Sequence, residues 1–158
     1  MDGSGATTGA GPRAATGLQT LQSLLDGRLP APPVVVALGA RLVDAVPGCA
    51  VLLAEPQPWQ RDAAGMVPGG VLSAWADAAL SYAVLSVLPA GAGHRSLEIG
   101  IRLLRPVTAG TASVRIVATV RQPDPATVTA DAELRDDAGR LLATAGTTHL
   151  IVPGGVAG

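Results

Sequence analysis

The sequence predicts an α+β fold in which one long helix is wrapped by an antiparallel sheet. Three observations carry that prediction. Gly70 to Leu88 is almost wholly apolar, as a helix covered on nearly every side must be. Ahead of it, Leu42–Val46 and Cys49–Ala54 flank a Pro47–Gly48 turn, the pattern of a hairpin. Behind it comes a run of short apolar-rich segments that read as four strands. Helix, two strands, long helix and four strands make an α+β plan.

The chain has 158 residues, enough for one domain with a sizeable core. Its first residues are Gly, Ala and Thr without periodicity, so 1–16 reads as a disordered tail and 17–158 as a single domain. Leu18, Leu21, Leu24 and Leu25 fall at helical spacing, and Gly27 with Pro30 stops the run. Pro32 to Ala40 fits two descriptions, an extended segment through Val34–Val36 or a single helical turn over Ala37–Gly39. The hairpin follows, then a polar loop from Glu55 to Asp62 carrying Trp59, then the long helix from Gly69–Gly70 to just before Pro89.

In the last third, Leu97, Ile99, Ile101 and Leu103 recur at every second position. Val114, Ile116, Ala118 and Val120 do the same, and so do Val128, Ala130, Ala132 and Leu134. Asp136–Gly139 is a turn into a final strand, Leu141 to Val152. Several strands are apolar on both faces (Val114–Val117, Leu141–Leu142, Leu150–Val152), which predicts an oligomer.

Composition excludes several function classes. Charged residues are 15% of the chain and the formal net charge is −1, so nothing points to nucleic acid. All eleven basic residues are Arg, a bias shared with inflated Ala, Gly and Val. The lone Cys49 has no disulfide partner and no secretory signal is visible, so a reducing cytosol is the default compartment. The apolar stretch is long enough to be mistaken for a membrane span. However, Asp77 near its middle would cost about 2.5–3.5 kcal/mol there, and basic anchors are missing.

Between Ala63 and Gly93 the one charged residue is Asp77. A carboxylate in a buried helix must be paired, hydrogen-bonded or protonated, which suits a structural link and a catalytic group equally. The segment Gly65-Met66-Val67-Pro68-Gly69-Gly70 leads into that helix. Two glycines at a helix start leave amides unshielded where the macrodipole is positive, an environment that stabilises an oxyanion. Asp77 lies eight residues past Gly69, a rise of about 12 Å, so the two cannot meet within one helix. Across a two-fold interface they can.

These residues resemble the hotdog-fold thioesterases of the phenylacetate-degradation type. The family pattern is Asn, two residues, Gly, two residues, His-Gly-Gly, then Asp eight residues after the first of those glycines. Here it reads Asp62-Ala63-Ala64-Gly65-Met66-Val67-Pro68-Gly69-Gly70 and then Asp77. The flanks agree at Val71-Leu72, Ser96-Leu97-Glu98-Ile99, Leu104-Arg105-Pro106-Val107, Asp137–Ala143 and Leu29–Pro33, so the likeness runs from about Leu25 to Val152. It implies a hotdog fold in a dimer or dimer of dimers. The implied reaction is hydrolysis of an acyl-CoA or acyl-carrier-protein thioester, without metal or redox cofactor. The Gly69 amide would polarise the carbonyl, Asp77 of the opposing subunit would attack or activate water, and Ser96 would help hold that water.

Two motif positions depart from the pattern. Pro68 replaces the His and cannot donate a hydrogen bond, although it suits a helix entrance. Asp62 replaces the Asn; it either brings a second carboxylate beside Asp77 of a partner, raising one pKa, or is a solvated loop residue beside Arg61. Gly70, Pro68 and Trp59 are candidates for substrate contact, and Arg102 and Arg105 for the phosphates of a CoA or phosphopantetheine arm. Trp75 is a pocket candidate, but a residue so placed on the long helix is more often plain core, whereas Tyr82 is given no role. Cys49 reads as a buried structural thiol. His94 in a Gly-rich loop and His149 on the last strand have no Cys or Glu cluster beside them, so no metal site is expected. The rivals to hydrolysis are dehydration, elimination or cyclisation of a carrier-bound chain in a biosynthetic pathway, and acyl-thioester binding without catalysis.

Overall fold

The computed structural model describes residues 14–154. Most of the segment read as a tail lies outside the described residues. Thr16, at its end, caps the first helix, α1 (Gly17–Leu25). Its hydroxyl accepts from the Gln19 amide at 3.2 Å, and the Gln19 side chain accepts from the Thr16 amide at 2.9 Å. The ambiguous segment is helical, α2 (Pro33–Ala37), with Pro33 in the first turn where its missing N–H costs nothing.

The hairpin is as read, β1 (Ala40–Val46) and β2 (Cys49–Ala54), and Gly48 takes the positive φ of 78° that the turn demands. Pro58–Gln60 makes a short 3-10 turn in the polar loop. The long helix α3 (Gly69–Leu85) is followed by β3 (Gly93–Leu103), β4 (Val114–Pro123), β5 (Thr127–Asp136) and β6 (Leu141–Val152). All six strands join one antiparallel sheet in the order β1-β2-β4-β5-β6-β3. A single long helix held in the curl of such a sheet is the hotdog fold.

Alternation decides which residues face the helix. Val114, Ile116 and Ala118 of β4 and Val128, Ala130, Ala132 and Leu134 of β5 are buried, and they meet Leu72, Trp75, Ala76, Ala79, Leu80 and Ala83 of α3. Each large apolar side chain covered in this way contributes about 1.5–3 kcal/mol. The alanines let the helix lie close to the sheet. Trp75 is wholly buried, and its indole Nε1 donates to the Leu38 carbonyl at 2.8 Å. Gln60 Nε2 donates to the same carbonyl at 3.0 Å, so α2 and the polar loop are tied to α3 at one point. Trp75 is therefore a core residue.

One stripe of α3 escapes the sheet. Ser73, Ala74, Asp77, Ala78 and Ser81 are all half-buried and follow one another at helical spacing. Another open surface is β3, which among the described residues pairs only with β6 and leaves its second edge free. Leu97 is 60% exposed, Ile99 40% and Leu103 53%. A free, apolar strand edge of this kind is a template for pairing with another chain.

Candidate active site

A β-bulge builds the polar end of the site. Opposite β6, Ser96 pairs with His149 and Glu98 with Thr148, so Leu97 is an extra residue in β3. The bulge reverses the parity of the strand. Ile99, Ile101 and Leu103 share the helix-facing side with Thr147, Ala145 and Ala143, and beyond the bulge Ser96 and His94 come to that same side with His149 and Ile151. Strict alternation from Leu97 to Leu103 would have turned Ser96 away. The bulge instead aims it at α3.

There Ser96 meets Asp77. Its Oγ donates to Asp77 Oδ1 at 3.4 Å, and His149 Nε2 lies 3.4 Å from the same hydroxyl oxygen. His149 Nδ1 stands 2.8 Å from His94 Nδ1. His149 is completely buried and His94 partly so, and His94 belongs to the start of β3 rather than to a loop. Burial pushes the His149 pKa down to about 4, helped by the charge of His94 and opposed by Asp77. Burial also lowers that of His94, with Asp77 again opposing. The two rings are thus neutral at pH 7. The sequence reading weighed both histidines only as metal ligands and missed their meeting beside Asp77, which no local motif marks, since 55 residues separate them.

Asp77 opens onto a cleft of about 270 Å³ formed between α2 and α3, lined by Pro32, Val34, Val35, Leu38, Ala78 and Tyr82 among others. Tyr82, set aside from the sequence because it is five residues on, therefore shares a cleft with the carboxylate. Burial raises its pKa. The lining is mostly apolar, with Ser81 and Tyr82 as its neutral polar side chains and Asp77 as its one charge.

Gly69 lies in a different cleft, of about 350 Å³, with Asp62, Pro68, Leu103, Arg105 and Val107. Pro68 is the N-cap of α3, extended at φ −63° and ψ 152°. Val71 and Leu72 turn their amides back to the Pro68 carbonyl, and among the described residues the Gly69 and Gly70 amides have no partner at the helix start. Leu103 covers Gly69 closely: a Cβ there would lie 2.6 Å from Leu103 Cδ1. Asp62 is spent on the loop. Its Oδ1 accepts from the Ala64 amide at 2.9 Å and the Met66 amide at 3.0 Å, which shapes the approach to Gly69.

The remaining candidates scatter. Arg105 lines the Gly69 cleft and donates from Nη1 to the Leu141 carbonyl at 2.6 Å. Arg102, paired with Thr144, points to the outer face of the sheet near Arg121, Asp131 and Glu133, so the two arginines do not converge. Trp59 is 66% exposed and lines neither cleft. Cys49 is half-buried rather than buried. Among the described residues, no group of three or more His, Cys, Asp or Glu side chains is placed to hold a metal, and no helix is long and apolar enough to cross a membrane.

Comparison with known proteins agrees with the fold. The PaaI protein of the phenylacetic acid degradation operon of E. coli superposes with a TM-score of 0.77 at 22% identity, covering 87% of this chain and 96% of that one. A thioesterase family protein from Silicibacter pomeroyi gives 0.76 at 24% identity, with 85% and 99% covered. A point mutant of the phenylacetic acid degradation protein PaaI from Thermus thermophilus gives 0.69 at 28%, with 75% and 98% covered. No curated protein matches the chain. The family model described as the thioesterase superfamily matches residues 64–143, which takes in the Gly-Gly turn, Asp77, Ser96 and the strand end at Arg105–Pro106. On that match, the chain belongs to the thioesterase superfamily.

Proposed function

We propose that the protein hydrolyses an acyl-CoA or acyl-carrier-protein thioester at a site shared by two subunits, in a dimer or dimer of dimers. The observation that carries this reading is the division of the site. Asp77, with Ser96 on it, opens into one cleft of the protomer, and the free Gly69 amide opens into another. Each is half of a thioesterase centre. Pairing through the open β3 edge, with its exposed Leu97, Ile99 and Leu103, brings unlike halves of two subunits together and covers the half-buried stripe of α3.

In such a centre the thioester carbonyl accepts a hydrogen bond from Gly69 of one subunit, at the positive end of α3. Asp77 of the other takes a proton from water held by Ser96, the resulting hydroxide adds to the carbonyl carbon, and the Gly69 amide receives the developing oxyanion. Collapse breaks the carbon–sulfur bond, the sulfur leaves with the electron pair, and the proton that Asp77 took from water returns to it to give the free thiol. Preorganised donors of this kind contribute about 3–4 kcal/mol each to lowering the barrier. The apolar cleft between α2 and α3 suits an acyl group, and Arg105 beside Gly69 suits a phosphate of the thiol arm.

The test is thiol release from short-chain, aromatic and long-chain acyl-CoAs by the wild type beside Asp77→Asn, with the oligomeric state measured on the same samples. Turnover by the wild type and a loss of activity in a folded Asp77→Asn oligomer are expected. Undiminished turnover in the variant would remove Asp77 from the mechanism. One observation favours a second reading: Pro68 leaves no side-chain donor over the carbonyl. A well-folded oligomer that releases no thiol, yet takes one water from a carrier-bound hydroxyacyl chain, would move the assignment to dehydration.

A further inference from the structure

The contacts behind Asp77 have a direction. A carboxylate only accepts, so the Ser96 hydroxyl donates its one proton to Asp77 Oδ1. The Ser96 oxygen must then accept from His149, which places the His149 proton on Nε2. A neutral His149 protonated at Nε2 has a bare Nδ1, and the proton between the two Nδ1 atoms therefore belongs to His94. With His149 neutral, one arrangement satisfies all three contacts: His94 Nδ1–H to His149, His149 Nε2–H to Ser96, Ser96 O–H to Asp77.

We infer that His149, backed by His94, is a positioning residue that fixes the polarity of the Ser96 hydroxyl and so holds Asp77 Oδ1, leaving Oδ2 free for water or the thioester carbon. This inference rests on the hydrolytic reading for its catalytic consequence, although the hydrogen-bond chain itself does not. The geometry supports positioning over proton transfer. His149 is completely buried, paired with Val128 of β5 and Ser96 of β3, and its ring reaches Asp77 through the Ser96 hydroxyl and not directly. The Ser96 contacts are each 3.4 Å, longer than ordinary hydrogen bonds, as catalytic contacts often are before substrate tightens them. Without His149, the Ser96 hydroxyl is free to rotate and Asp77 loses its fixed donor.

The experiment uses the fact that the chain has two histidines, so ¹⁵N-histidine labelling gives two ring systems. Long-range ¹H–¹⁵N correlation on the wild-type protein at neutral pH should show both rings neutral, His149 protonated at Nε2 and His94 at Nδ1. Ser96→Ala and Asp77→Asn should each move the His149 Nε2 signal. In kinetics, His149→Phe keeps the volume and removes the donor; kcat should fall by about 10- to 100-fold with KM nearly unchanged. His149→Gln, whose amide reaches the Nε2 position, should recover most of that loss. A His149 ring protonated at Nδ1, or charged at neutral pH, overturns the inference. So does wild-type kcat in His149→Phe while Asp77→Asn is inactive. If the wild type releases no thiol but the tautomers are as stated, the hydrolytic reading fails and the chain holding Asp77 stands.

Discussion

Mild acid should destabilise this fold chiefly through His149. Its pKa falls from 6.5 in the unfolded chain to about 4 in the native state, because burial removes the water that a charged ring needs. Between those values the unfolded state binds a proton that the native state refuses. The stability is therefore complete above pH 6.5, declines as the pH falls toward 4, and loses nothing further below it. A shift of that size corresponds to about 3 kcal/mol, or a fall in melting temperature of about 6–12 °C for a domain of this length. Three elements pack on the ring. From β3 it faces His94, whose lowered pKa acts in the same direction; from α3 it faces Asp77, whose charge opposes; from β5 it faces Val128, which carries none.

Urea unfolding of the wild type and His149→Gln across that window isolates the effect, since carboxylates titrating elsewhere are common to both. The wild-type stability should fall with acid about 2–3 kcal/mol further than that of the variant. Parallel curves would refute the assignment and mean that the native cavity already admits a charged ring.

Two other predictions concern packing. Gly17 sits where α1 touches the end of α3: a Cβ there would run into the Leu85 carbonyl oxygen, so the backbone must shift to admit it. Gly17→Ala should cost about 1–3 kcal/mol and break the bond from the Gly17 amide to the Leu88 carbonyl, and an unchanged urea midpoint with α1 amides still protected from exchange would contradict it. Trp75→Phe removes a donor from the Leu38 carbonyl but leaves it the Gln60 amide, so no acceptor is orphaned. The loss should stay near 1–2 kcal/mol by chemical denaturation, whereas a collapse of the fold would show that the indole does more than fill and tie.

The long helix, the hairpin and the strand run were legible because each rests on local chemistry: an uninterrupted apolar run, a Pro-Gly turn, period-two alternation. So was the Gly69/Asp77 spacing, whose two parts open into separate clefts of the protomer. Pro32 to Ala40 was not legible, because its β-branched residues favour extension while Pro33 favours a helix start, and packing of Val35 in the core decides between them. The side to which Ser96 points was not legible either. A single inserted residue at Leu97 reverses the strand's faces, and alternation carries no mark of where a register slips.

His94 and His149 were illegible for a stronger reason. Neither has an acid, a cysteine or a fixed spacing beside it, and their meeting is a product of β3–β6 pairing. Their position also limits what they can replace. In the composite site proposed above, Pro68 removes a donor from the side of the carbonyl, whereas the two rings stand behind the carboxylate on the other side. They orient the base and add nothing to polarisation of the thioester, which falls to the Gly69 amide and the helix start behind it. A site so divided should depend steeply on Asp77 and on His149 for kcat. It should also accept Pro68 structurally, because the N-cap backbone it occupies, φ −63° and ψ 152°, is the conformation proline prefers.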